Sequence, residues 1–152
     1  MTVVFPYLAA PPPRAFAHRG WHVDELAGME NSLPAFRRAV TEGYRYIETD
    51  VHATADGVVV VHHDPSLDRT TDGTGPIAGQ TWRSVRRARI GGREPVSRLE
   101  DVLEELPEAF FNVDVKSDAA VEPFLRVVRR CGALDRVAAA AFSESRLVRL
   151  RR

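Results

Sequence analysis

YIETDVHATADGVVVVHHDPSLDRTT, residues Tyr46–Thr71, puts two carboxylates, Glu48 and Asp50, into a run that otherwise reads as a strand. A short turn follows, and then a valine run that ends in His62, His63 and Asp64. Asp56-Gly57 is a strong signal for a two-residue hairpin loop. With that loop, Ala55 faces Val58, His52 faces Val61, Val51 faces His62 and Asp50 faces His63. Side chains alternate along a strand, so Glu48, Asp50 and His63 share one face while His62 joins Val51 and Ile47. The choice depends on loop length, because a change of one residue exchanges the two histidines.

The flanking sequence alternates strand and helix. RAFAHRG (Arg14–Gly20) reads as a short strand ended by Gly20. NSLPAFRRAVTEG reads as a helix, with Asn31 or Ser32 as cap, Pro34 in the first turn and Gly43 as stop. Leu33, Phe36 and Val40 share its apolar face. SRLEDVLEELPE reads as a helix opened by a Ser97–Glu100 capping box, with Leu99, Val102, Leu103 and Leu106 inward. AFFNVDVKS is a strand, and DAAVEPFLRVVRRCG is a helix with Val121, Phe124, Leu125 and Val128 inward and Gly132 as stop. RVAAAAFS is a fourth strand, and ESRLVRLRR begins another helix. This order predicts an α/β fold with a parallel sheet covered by helices. An insertion of about residues 53–96 holds the hairpin, a Gly/Thr-rich loop and a short basic helix, and loops of that length are usually functional.

Composition narrows the function classes. Lys+Arg and Asp+Glu both number 21, so the chain lacks the basic surplus that nucleic-acid binding favours. Cys131 is the single cysteine, which fits a reducing, cytoplasmic compartment. Residues 1–13 are apolar but broken by Pro6 and Pro11–Pro13, and read as a leader rather than a signal peptide. No run is long enough to span a membrane.

Ligands in α/β folds bind beyond the carboxyl ends of the strands. There the first strand carries His18 and Arg19, the second Glu48 and Asp50, and the third Asp114 and Lys116. Three acids suit a hard divalent cation, two histidines suit proton transfer, and two cations suit an anionic substrate. A phosphate ester answers that description.

The motifs AHRG, ENSLPAF, YIETDV, DGVVVVHHDPSLDRTT, LEDVLE and FNVDVK resemble, in order and spacing, the glycerophosphodiester phosphodiesterase family. The resemblance implies a TIM barrel and metal-dependent hydrolysis of glycerophosphodiesters to sn-glycerol 3-phosphate and an alcohol, with one Mg²⁺ or Ca²⁺. It implies an acid–base pair in His18 and His63, phosphate contacts in Arg19 and Lys116, and metal ligands in Glu48, Asp50 and Asp114. Glu30 and Asn31 match a motif lining the site, as ligands or as their support. Asp114 stands where the family usually has glutamate. A TIM barrel typically needs eight strands and about 250 residues. The chain therefore reads as a (βα)4 half-barrel over residues 14–152. Its open edges lead to the expectation of a homodimer or aggregate with little turnover. Two other readings are a related phospholipid-cleaving phosphodiesterase and an inactive or partner-dependent fragment that binds metal or phosphate.

Overall fold

The computed structural model describes residues 5–151. In chain order its elements are β1 (Phe16–His18), α1 (Leu33–Thr41), β2 (Tyr46–Ala53), β3 (Val59–Val61), α2 (Trp82–Val85), β4 (Arg89–Ile90), β5 (Glu94–Pro95), α3 (Leu99–Glu105), β6 (Phe110–Val115), α4 (Val121–Arg130), β7 (Val137–Ala140) and α5 (Glu144–Leu150). The expected α/β architecture with a parallel sheet is present. The strands β1, β2, β6 and β7 run parallel in that spatial order, and β3 pairs antiparallel with β2.

Two local signals act as the sequence predicts in α1. The Ser32 hydroxyl accepts the Ala35 N–H at 3.3 Å, Pro34 occupies the first turn, and Gly43 leaves the helix at φ 89°. The buried face is shifted by one position, however. Ala35, Phe36 and Ala39 are buried, while Val40 is exposed. In α4 Val127 takes the buried place expected of Leu125, which is only partly covered.

The predicted capping box of α3 does not form. Arg98 is the N-cap residue and makes no side-chain cap. The Ser97 carbonyl instead accepts the Val61 N–H at 2.9 Å, and Arg98 bridges to Val60. Pairing with β3 draws this stretch into an extended conformation, and Glu100 turns to Arg98 and Arg130.

The register places Phe16, Tyr46 and Phe110 side by side, then His18, Glu48 and Asn112, then Asp50 and Asp114. Alternation therefore gives the sheet two different faces. Ala17, Ile47, Val51, Phe111, Val113 and Val115 meet α1, α3 and α4 in the main core. The opposite face is aromatic at its N-terminal end, where Tyr7 packs edge-on against Tyr46 and Phe110. The predicted leader thus has a packing role over part of its length, and its residues 1–4 lie outside the described residues. The insertion forms a second small core with Met29, in which Leu67, Ile77, Val85, Ile90 and Val96 pack around Val60. Val59 and Val61 point the other way, into the main core. An unbroken valine run is needed because β3 is buried on both sides.

The hairpin register differs from the prediction by one residue. Val51 pairs with Val61, His52 with Val60 and Ala53 with Val59. Thr54 closes the loop: its N–H donates to the Val58 carbonyl at 2.9 Å, and its hydroxyl oxygen accepts the Val58 N–H at 3.0 Å. The loop is therefore Ala55-Asp56-Gly57, with Gly57 at φ 78° supplying the left-handed turn. Asp50 is now opposite His62, whose N–H donates to the Asp50 carbonyl at 2.9 Å.

Candidate active site

The site begins where β1 ends. The Arg19 N–H donates to the Glu48 carbonyl at 2.9 Å and also lies 3.2 Å from Glu48 Oε2. Arg19 is left-handed at φ 57° and Gly20 follows at φ 85°. A Cβ on Gly20 would stand 2.9 Å from both Ala35 and Phe36, so only glycine lets the chain turn this close to α1. Along the same edge of β2, Thr49 and Asp50 fall between the last pair of β1 and the first of β3. Asn31 fills this gap. Its N–H donates to the Arg19 carbonyl at 2.9 Å, its Nδ2 donates to Asp50 Oδ2 at 3.0 Å, and its Oδ1 accepts the Thr49 hydroxyl at 2.7 Å.

Asp50 is the centre of the charge cluster and is almost wholly buried. Lys116 Nζ is 3.1 Å from its Oδ1, and Arg19 Nε is 3.4 Å from its Oδ2. Lys116 also donates to Asp114 Oδ2 at 2.7 Å. Burial pulls the Lys116 pKa down, but hydrogen bonds to Asp114 and Asp50 outweigh it and raise the pKa overall. Asp114 Oδ1 is buried without a hydrogen-bond partner. Burial, and then the nearby Asp50, push the Glu48 carboxyl up to about 7. Arg19 opposes this only in part. The His18 ring lies at the open rim with Nε2 3.8 Å from Glu48 Oε2. Partial burial, followed by the Arg19 charge, lowers its pKa.

The two histidines after β3 separate by a route that alternation does not describe. The ladder ends at Val61, and His62 turns inward, its Nε2 3.0 Å from the Ser66 carbonyl and its ring buried. Burial lowers its pKa. His63 is partly exposed, with Nδ1 2.7 Å from Asp64 Oδ1. Its carbonyl is held by His52 Nε2 at 3.0 Å. Asp64 also meets Arg69, and Arg69 meets Glu30.

The structure thus brings His18, Arg19, Glu30, Asn31, Glu48, Asp50, Asp114 and Lys116 into one connected cluster. His63 joins it through Asp64, Arg69 and Glu30. Sequence reasoning passed over Arg69 and His52. Their signal was position, since Arg69 lies in the quoted DRTT and His52 shares the alternating face of Glu48 and Asp50. It also passed over Phe142, which is 95% exposed with its ring centroid 5.5 Å from Lys116 Nζ.

Among the described residues, no three acids or histidines already stand as a ready-made ion cage. The donor chemistry nonetheless fits a hard cation. Three carboxylates are crowded together, one has an orphaned buried oxygen, and another is driven toward protonation. Among the described residues, no helix is long and apolar enough to cross a membrane.

Residues 18–150 match the model of the glycerophosphoryl diester phosphodiesterase family. The chain is similar to a Mycobacterium tuberculosis protein named probable glycerophosphodiester phosphodiesterase 2, with 43% identity over 87% of this chain and 49% of the relative. It also resembles the Caldanaerobacter subterraneus glycerophosphodiester phosphodiesterase, with 34% identity over 70% of this chain and 46% of that protein. The chain therefore spans about half the length of these curated relatives. The crystal structure of the Agrobacterium tumefaciens glycerophosphodiester phosphodiesterase superposes with a TM-score of 0.80 at 31% identity, covering 90% of this chain and 61% of that one. The fold is also that of an Oleispira antarctica phosphodiesterase solved with its product sn-glycerol-3-phosphate, with a TM-score of 0.81 at 24% identity over 91% of this chain and 61% of the other. On the match over residues 18–150, the chain belongs to the glycerophosphoryl diester phosphodiesterase family.

Proposed function

We propose that this chain hydrolyses glycerophosphodiesters to sn-glycerol 3-phosphate and an alcohol, and that it does so as a (βα)4 half of a TIM barrel. The observation that carries the reading is the shared sheet face on which Glu48, Asp50 and Asp114 meet Arg19 and Lys116. Glu48, Asp50 and Asp114 would hold one Mg²⁺ or Ca²⁺, and the chemistry supplied there is polarisation of a phosphoryl oxygen. The orphaned Asp114 Oδ1 and the raised Glu48 pKa support this assignment. Glu30 and Asn31 act as support, since Asn31 orients Asp50 and Glu30 holds Arg19 Nη1 at 3.1 Å.

Arg19 and Lys116 bind the phosphate oxygens and offset the charge that grows on them in the transition state. Asp50 pre-positions both, with Glu30 also holding Arg19 and Asp114 also holding Lys116, so little side-chain entropy is lost when substrate arrives. His18 and His63 move the protons, one taking a proton from the attacking hydroxyl and the other giving one to the leaving oxygen. The exposed Phe142 and the open β7 edge support pairing of two copies to complete the barrel. The test is release of sn-glycerol 3-phosphate from glycerophosphocholine, with Mg²⁺, with Ca²⁺ and with chelator. Slow metal-dependent release that rises steeply with chain concentration is expected. No release above the chelated control overturns the reading.

A further inference from the structure

Arg69 lies beyond β3 in the DRTT segment, and nothing in the proposed chemistry uses it. Its Nε and Nη2 donate to Asp64 Oδ2 and Oδ1 at 2.7 and 2.9 Å. Its Nη2 and Nη1 donate to Glu30 Oε1 and Oε2 at 2.7 and 3.2 Å. One planar guanidinium therefore engages both oxygens of two carboxylates. A lysine ammonium lacks that fork. Each carboxylate reaches onward to a group of the site. Glu30 Oε1 accepts Arg19 Nη1 at 3.1 Å, and Asp64 Oδ1 faces His63 Nδ1 at 2.7 Å.

We propose that Arg69 is a positioning residue that sets the tautomer and orientation of His63 through Asp64 and ties that histidine to Arg19 through Glu30. The Arg69 fork fixes both Asp64 oxygens and leaves Oδ1 2.7 Å from His63 Nδ1, while the same hydrogen bonds keep that carboxyl ionised, its pKa well below the usual carboxylate range. An ionised carboxylate only accepts hydrogen bonds. His63 Nδ1 must therefore carry the proton, and Nε2 is left as the free nitrogen for proton transfer. His52 holds the backbone of the same residue through the His63 carbonyl. With ring and backbone both held, His63 keeps one geometry although it leaves the ladder of β3. Arg69 is about half-exposed, and exposed ion pairs contribute little to stability. Its loss is thus expected to be felt in geometry more than in folding.

The inference rests on the hydrolytic role assigned to His63, and the experiment separates the two. Two-bond ¹H–¹⁵N spectra of the substrate-free chain report which ring nitrogen of His63 is protonated. The wild type is expected to show the Nδ1–H form. Arg69→Gln and Arg69→Lys are expected to show mixed tautomers, and Asp64→Asn, whose amide can donate, a shift toward Nε2–H. In the glycerophosphocholine assay Arg69→Gln lowers kcat by about 10²-fold, the size expected of a misplaced catalytic group, with KM little changed because Arg69 touches no phosphate ligand. An unchanged His63 tautomer in Arg69→Gln and Asp64→Asn overturns the inference. A wild-type chain with the Nδ1–H form and no product release overturns the hydrolytic reading instead.

Discussion

Glu48→Gln tests the electrostatics of the site without a substrate. The Glu48 carboxyl moves from its ordinary 4.5 to about 7 on folding, because burial and the Asp50 charge disfavour its ionised form. At ~1.4 kcal/mol per pH unit this corresponds to about 3 kcal/mol, and residual water contact lowers the expectation to about 2 kcal/mol. The raised pKa means that the folded state binds more protons than the unfolded chain between the two values. Stability contributed by protonated Glu48 is full below about pH 4.5 and is lost as pH rises through about 7. Glutamine cannot ionise, so Glu48→Gln escapes that loss. Urea unfolding in chelator from pH 5 to pH 8.5 measures it. The variant's stability relative to wild type is expected to rise across this window by about 2 kcal/mol. Mg²⁺ or Ca²⁺ is expected to stabilise the wild type at pH 8 and not the variant, because the ligand is gone. A stability difference that stays flat with pH would refute the crowding of these carboxylates, and equal stabilisation by the cation would refute Glu48 as a ligand.

Three other outcomes follow from the geometry. His63→Ala is expected to lower turnover by about 10²–10⁴-fold with little change in urea midpoint, whereas His62→Ala loses a buried ring and its bond to Ser66 and costs about 1–3 kcal/mol; the reverse pattern in paired kinetic and unfolding measurements would exchange their roles. Asp114→Glu is expected to keep or raise the rate with Mg²⁺ and Ca²⁺, because the family resemblance implies the longer glutamate as the ligand at this position, and a collapse with both ions would mean the backbone has adapted to aspartate. Light scattering coupled to size exclusion should find self-association driven by the uncovered β7 edge and by exposed Phe142, Leu134 and Val148, and a stable monomer at high concentration would rule out the paired half-barrel.

Much of this molecule was readable in the sequence because its signals are local. Ser32, Pro34 and Gly43 bound α1 through contacts within a turn of themselves. Alternation along β2 and β6 separates Glu48, Asp50 and Asp114 from Ile47, Val51 and Val113 whatever the rest of the chain does. The shared rim of His18, Arg19, Glu48, Asp50, Asp114 and Lys116 then follows from parallel pairing alone. Tertiary structure decided the remainder. The Thr54 hydroxyl adds a residue to the hairpin loop and moves every pair in β3, a bond of a few ångströms that loop propensity does not encode. Pairing with β3 overrode a sound capping signal at Ser97. Alternation placed His63 beside Glu48 and Asp50, but the chain leaves the ladder at Val61: His62 stands opposite Asp50 with its ring buried against Ser66, and His63 meets Asp64. The Arg69 fork joins Glu30 and Asp64 across 39 and 5 positions of sequence, and only the fold brings those separations to hydrogen-bond distance.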